Sequence, residues 1–242
     1  MNDIFINPTN PFIDENNNSK SLLFNSSIVS NNLISSSYKT YDSDLKELNP
    51  ISLTYLHKFN QFYLIASKFN SRGSDLFQES RISLLNSFQF GNRFLTMFTI
   101  NYDNLFVKNY NNQSKLSLDL TGQVKVIDKL MLAFTINNIF NKKYILQSEY
   151  NDRAVAIGVS YLYNNNLNLS FSLINKFGQL GINSNIYFEL NKYFNFNIIY
   201  STLAPAVNSN FGVNINYFSL YLGLEYVSYI GYTSNIALRF QF

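Results

Sequence analysis

Between Lys115 and Val126 the side chains fall into two sets: Leu116, Leu118, Leu120, Val124 and Val126 on one parity, and Lys115, Ser117, Asp119, Thr121, Gln123 and Lys125 on the other. A period of two is that of an extended strand whose successive side chains point to opposite faces. Every charge here sits on one face. Lysine on the lipid side at mid-bilayer costs about 2–4 kcal/mol, so a membrane strand demands this segregation, although a half-buried soluble sheet also shows it. The final residues repeat it: Ile236, Leu238, Phe240 and Phe242 oppose Asn235, Ala237, Arg239 and Gln241. The stretch Thr233 to Phe242 therefore reads as a closing strand.

Alternation runs through most of the chain between these points. Ile51, Leu53 and Tyr55 alternate with Ser52 and Thr54, and Phe62, Leu64 and Ala66 continue on a returning strand after a turn at Asn60. Gly91 and Asn92 separate two further runs, Arg81 to Phe90 and Arg93 to Asp103, which is a hairpin signal. In the first of these Asn86 falls among Ile82, Leu84, Phe88 and Phe90, which predicts either a bulge near Leu84 and Leu85 or an amide on the oily face. Leu130 to Ile136, Ala154 to Tyr163, Leu167 to Leu173, Ile182 to Leu190, Phe194 to Tyr200, Phe211 to Tyr217 and Phe218 to Tyr226 complete the series. Ser21 to Ser30 is a weaker strand candidate, and the polar connection Asn31 to Pro50 carries at most a short extension around Ile34 to Tyr38.

The connections are expected to alternate as well. Tight turns at Asn60, Gly91 and Asn92, Asp128 and Lys129, Asn164 to Asn166, Asn191 to Tyr193 and around Tyr217 would form one rim. Longer loops at Ser71–Ser80, Asp103–Ser114, Asn137–Asp152, Asn175–Leu180, Ser201–Asn210 and Val227–Tyr232 would form the other, the arrangement of outer-membrane barrels. The reading is an all-β fold: a transmembrane antiparallel up-and-down β-barrel of about fourteen strands, with twelve as the alternative count. It occupies residues 21–242, after an N-terminal segment of residues 1–20 in which Pro8 and Pro11 interrupt any ladder and which lies in the lumen or is mobile.

Composition narrows the alternatives. No run approaches the eighteen or so apolar residues of a membrane helix, so a membrane role requires a closed sheet. The net charge of +3 is spread without a basic cluster, which argues against nucleic acid as a partner. The absence of cysteine excludes disulfides and thiolate metal sites, and no cofactor or metal is expected. A secretory leader is expected of an exported barrel, and none is read in Met1, Asn2, Asp3 or the polar run Asp14 to Lys20.

Six charged residues are expected to line the lumen: Lys115, Asp119, Lys125, Glu189, Glu225 and Arg239. They would line a solute path or neutralise one another in a plugged interior. His57, the only histidine, would serve a lipid hydrolase only beside a serine and an orienting amide, and a polar rim residue is the plainer reading. Asp42, Asp44 and Glu47 lack the glycine and spacing of a calcium loop. The protein is expected not to be an enzyme.

The run Lys129 to Ser172, with its Ile136, Asn137, Asn138, Ile139 phrase, resembles the FadL-like outer-membrane barrels that include the PorV and PorQ accessory proteins of type IX secretion in Bacteroidota. Asn7 and Pro8 resemble the Asn-Pro motif near their start, and Tyr226 to Phe242 is similar to their closing hairpin. Residues 138 to 144 also resemble a phrase of TonB-dependent receptors, without the preceding plug. The first resemblance implies an accessory barrel of a secretion or surface-attachment complex, with outer-membrane lipid, secretion or surface-protein partners, and a barrel-assembly machinery that reads Phe240 and Phe242. A channel for small or hydrophobic solutes is the alternative.

Overall fold

The computed structural model describes residues 32–41, 49–60, 62–110, 112–140, 153–203 and 205–242. They form fourteen antiparallel strands: β1 (Leu33–Tyr41), β2 (Ile51–Lys58), β3 (Tyr63–Gly73), β4 (Phe77–Phe90), β5 (Phe94–Val107), β6 (Gln113–Ile127), β7 (Leu130–Asn137), β8 (Ala154–Asn164), β9 (Leu167–Lys176), β10 (Gln179–Glu189), β11 (Phe194–Ser201), β12 (Ala206–Ile215), β13 (Phe218–Val227) and β14 (Gly231–Gln241). Each strand pairs with its neighbours in sequence, and β1 pairs with β14, so the sheet is a closed barrel without edges. At the seam Ile34 lies opposite Phe240 and Tyr38 opposite Ile236. Beyond the ladder, the Asn32 and Phe242 backbones exchange two 3.0 Å hydrogen bonds.

Side-chain parity divides the molecule into two surfaces. Ile100, Leu132, Phe171, Leu222 and Leu238 are among many large apolar residues left exposed on the outside. No Asp, Glu, Lys or Arg stands on the outer face of any described strand. A band this apolar is stable against hydrocarbon and not against water, so the barrel spans a membrane. Aromatics cluster at its lower margin, where Phe59 stacks on Tyr63 at 5.4 Å and Tyr63 on Phe88 at 4.9 Å.

The turns of one rim are built by the residues expected to build them. Asn60 Oδ1 accepts hydrogen bonds from the N–H groups of Phe62 and Tyr63 at 2.8 and 2.9 Å, and Asn164 and Asn191 each do the same for the residues two and three further on. An asparagine that bonds its own downstream backbone reverses the chain without help from elsewhere. Connections on this rim span two to four residues.

The opposite rim corrects the expectation of uniformly long loops. Residues 42–50 and 138–153 are long connections, but 74–76, 177–178, 202–205 and 228–230 are two to four residues. Phe177 and Gly178 both take positive φ, 55° and 75°, which is the two-residue hairpin turn that suits strand twist; the sequence lacks the Asn-Gly pair that would announce it. Strands here rise past the apolar band. The outer positions turn polar there, at Ser71, Gln78, Ser80 and Asn104, so nothing forces alternation.

Three smaller corrections follow. The strand beside the seam is Leu33–Tyr41, a full partner of both β2 and β14, where only a short extension was expected; Ser21–Ser30, residues 1–20, and Asp42, Asp44 and Glu47 lie outside the described residues. No register shift interrupts β4 against β3 or β5. Asn86 instead faces outward, and the Tyr63 hydroxyl donates to its Oδ1 at 3.0 Å. Leu64 and Ala66 face inward, joining Leu33, Leu56, Leu85, Leu95 and Met97 in an apolar patch on the inner wall.

Candidate functional site

The inner face of the barrel is where chemistry is available, and its side chains sort by sector. Strands β1 to β6 carry Lys39, Lys68, Arg72, Glu79, Arg81, Asp103, Lys115 and Asp119 inward, with Lys58 and Lys125 near the turns. Pairing register sets the partners: Arg72 lies opposite Glu79, and Arg81, Asp103 and Lys115 lie level across β4, β5 and β6. Arg72 donates to Glu79 Oε2 through Nη2 at 2.6 Å and Nε at 2.9 Å. Arg81 Nε donates to Asp103 Oδ1, whose Oδ2 lies 4.0 Å from the Lys115 ammonium. Opposite charges directly across a ladder hold one another in place.

Strands β9 to β14, which carry Lys176, Glu189, Glu225 and Arg239 inward, present a different wall. Nine asparagines point inward from it: Asn168, Asn183, Asn185, Asn195, Asn197, Asn208, Asn210, Asn214 and Asn235. Only Asn70, Asn101 and Asn137 do so from the preceding strands, apart from Asn164 at its turn. Lipid on the outside explains why amides face in; it does not explain why they crowd one sector. Tyr187 and Tyr221 stand among them, both nearly fully buried. Glycines make room: a Cβ on Gly223 would overlap the amides of Asn210 and Asn235, and one on Gly212 would overlap Asn195 and the Tyr221 ring.

The six charged residues singled out in the sequence occupy scattered places on this inner face. Lys115 faces Asp103. Asp119 accepts from the Asn138 backbone N–H and from Asn101 Nδ2, both at 2.7 Å. Lys125 reaches Asp128 at 3.4 Å near the turn, and Glu189 ends β10 at the same rim. Glu225 accepts from Lys39 Nζ and from the Thr233 hydroxyl at 3.2 Å. Arg239 sets its guanidinium 5.2 Å from the Tyr221 ring centre. The ion pairs described for Lys115, Lys125 and Glu225 are with residues outside the six. Their partners Lys39, Asp103 and Asp128, and the pair Arg72–Glu79, were missed because they lie in or beside segments taken for loops; strict parity extended past the apolar band would have found them.

His57 lies on the outer face by the short-turn rim. Its Nδ1 lies 3.5 Å from the Tyr55 hydroxyl and its ring meets Phe59 edge-on at 4.5 Å. No described hydrogen bond joins it to a serine, so the hydrolase reading lacks its nucleophile pair. Among the described residues no group of His, Asp or Glu is gathered as a metal site requires. Phe240 and Phe242 stack at 5.9 Å on the outer face of the seam. A groove of about 450 Å³ between Val124, Leu132, Phe134, Ile157, Phe171 and Leu173 also lies outside, within the apolar band.

No protein-family model matches the sequence, and no curated protein matches it. Solved structures do match in shape. The monoaromatic hydrocarbon channel CymD superposes with a TM-score of 0.66 at 6% identity, over 88% of each chain. A TodX mutant, described as a monoaromatic hydrocarbon channel, gives 0.62 at 7% identity over 87% of this chain and 88% of that one. The outer membrane protein Omp33 of Acinetobacter baumannii gives 0.61 at 7% identity over 88% and 98%. The chain has the fold of these outer-membrane barrels. At such identities the likeness is one of architecture, and it leaves the solute of this lumen to its own side chains.

Proposed function

We propose that the protein is a channel of the bacterial outer membrane that passes small polar solutes. The observation that carries this reading is the complete division of charge: every charged strand residue described is on the inner face, and none is on the outer. Eight strands leave an interior just filled by side chains, whereas sixteen to eighteen leave an aqueous pore, and fourteen lie between the two. The FadL-like resemblance fits a channel of this architecture. The accessory-barrel role in type IX secretion has only short phrases behind it, at Asn7–Pro8, in residues 129–172 and at Tyr226 to Phe242, and the assembly role of Phe240 and Phe242 rests on resemblance alone.

The test is electrical. Full-length protein extracted in detergent, whose folded state is followed by a change of gel mobility on boiling, is expected to give long-lived stepwise currents in planar bilayers. A folded barrel that stays silent and co-purifies with a partner protein would favour the scaffold instead.

A further inference from the structure

The outer wall is not evenly clad. Two levels of outward side chains cross β6 to β9: Val124, Leu132, Val159 and Phe171 at one, and Gly122, Phe134, Ile157 and Leu173 at the next. A glycine and two valines among longer side chains leave a hollow, and the groove of about 450 Å³ lies there. A Cβ on Gly122 would overlap the Phe134 ring, so glycine lets that ring lie down against the sheet where any other residue would hold it off. The walls stay accessible: Phe134, Ile157 and Phe171 are 42%, 57% and 42% exposed. The β6–β7 end of the groove lies just above the turn that carries Lys129, since Val124 and Leu132 are close to the ends of their strands at Ile127 and Leu130. Tyr161 lies level with Leu130, and the Leu162 N–H donates to the Lys129 carbonyl at 2.8 Å. The Lys129 ammonium, exposed at this rim, donates to the Tyr163 carbonyl at 3.4 Å. An ammonium has three protons to give, and that contact uses one. The neighbouring carboxylate, Asp128, is met by Lys125.

We propose that the groove and Lys129 together hold one phospholipid of the periplasmic leaflet, its acyl chain laid in the hollow and its phosphate on the Lys129 ammonium. The short-turn rim of an outer-membrane barrel faces the periplasm, which sets the leaflet. Tyrosines sit at headgroup level in membrane proteins, and Tyr161 and Tyr163 mark that level beside Lys129. Cationic side chains at a membrane surface attract anionic headgroups, so charge and apolar hollow are spaced as head and tail of one molecule are. A hollow left empty forfeits the dispersion contacts of its lining. An acyl chain restores them, and it meets protein on several sides there, where a chain elsewhere on the band meets a convex wall on one. A second copy of this barrel would bring another convex wall, whereas a hydrocarbon chain is slender and bends to the hollow.

The sequence has no tryptophan, so a single introduced indole reports its own surroundings. Phe171→Trp keeps an aromatic bank on the groove. Phe211→Trp, on the outer face of β12 and equally far along its strand from the short-turn end, stands on plain wall. The full chain carrying either change is placed in nanodiscs of phosphatidylcholine with a rising fraction of phosphatidylglycerol whose acyl chains are brominated, which quench nearby indoles. Quenching at Phe171→Trp is expected to reach half its maximum at a mole fraction at least fivefold lower than at Phe211→Trp. Adding Lys129→Gln, at an exposed turn, should bring the two within twofold, and Val159→Phe, which fills the hollow, should do the same. A change of gel mobility on boiling checks that each variant is folded. Equal half-points for the two reporters would overturn the proposal, as would a preference that survives Lys129→Gln. Weaker quenching at Phe171→Trp than at Phe211→Trp at every fraction would overturn it too, and would put protein rather than lipid over the groove. No current is read, so the outcome is independent of the channel reading.

Discussion

The two walls of the lumen solve the same problem with different chemistry. On β3 to β6, Arg72 with Glu79, and Arg81 and Lys115 with Asp103, are full charges that meet across the ladder at shared levels. On β10 to β14, neutral amides fold over glycines, and some of them make no bond to the protein. Charge pairs lock a wall because removing one partner strands the other. Amides without bonds leave a wall less tightly fixed. One sector is thus fixed by charge and the other is not, so a substitution should read differently depending on which wall receives it.

The largest effect should come from the charged side. Asp103 is 1% exposed and stands between Arg81 and Lys115. Asp103→Ala leaves two cations facing each other without an anion, and breaking a buried pair in this way costs about 3–5 kcal/mol. Lumen water will temper this, and a loss of about 3 kcal/mol in urea unfolding is expected, together with a shift of the reversal potential toward anions. A loss below about 1 kcal/mol would mean that the ladder is not what stiffens this wall.

A smaller effect is expected where the amide wall is crowded. A Cβ on Gly223 meets Asn210 and Asn235, and both are side chains that can swing aside. Gly223→Val should cost about 1–2 kcal/mol, within the range of overpacking elsewhere, and should narrow the pore enough to lower single-channel conductance. Unchanged conductance with lowered stability would place this level away from the narrowest section.

How much of this was legible follows the membrane. Wherever hydrocarbon faced the chain, alternation had to be strict, and the outer parity of β6, β8 and β14 reads directly from Leu116, Val155 and Ile236 and their successors. Above the band the rule lapses. Arg72, Glu79 and Asp103 lie in or beside segments that looked like loops, because the outer face of the strands there is no longer apolar. Leu64 and Ala66 misled in the opposite sense: they are apolar yet inward, members of the patch around Leu56 and Leu85. The division of the lumen into two walls was out of reach for a simpler reason, since it depends on which strands become neighbours, and on Tyr187 coming level with Asn197, rather than on any pattern within one strand.

The smallest effect is the most discriminating. Asn235 is as buried as Asp103 is, to within a few per cent, and it sits on a strand between β13 and the seam. If burial alone set the cost of truncation, the two alanine variants would be comparably damaged. Asn235→Ala, however, removes an amide with no bonds to lose and opens a little space above Gly223. A polar group left unmade in the native state is itself a penalty of about 1–3 kcal/mol, so its removal should change urea stability by less than about 1 kcal/mol, in either direction. A loss of 2 kcal/mol or more would show that Asn235 is held by the protein after all, and the contrast between a locked wall and a looser one would fall with it.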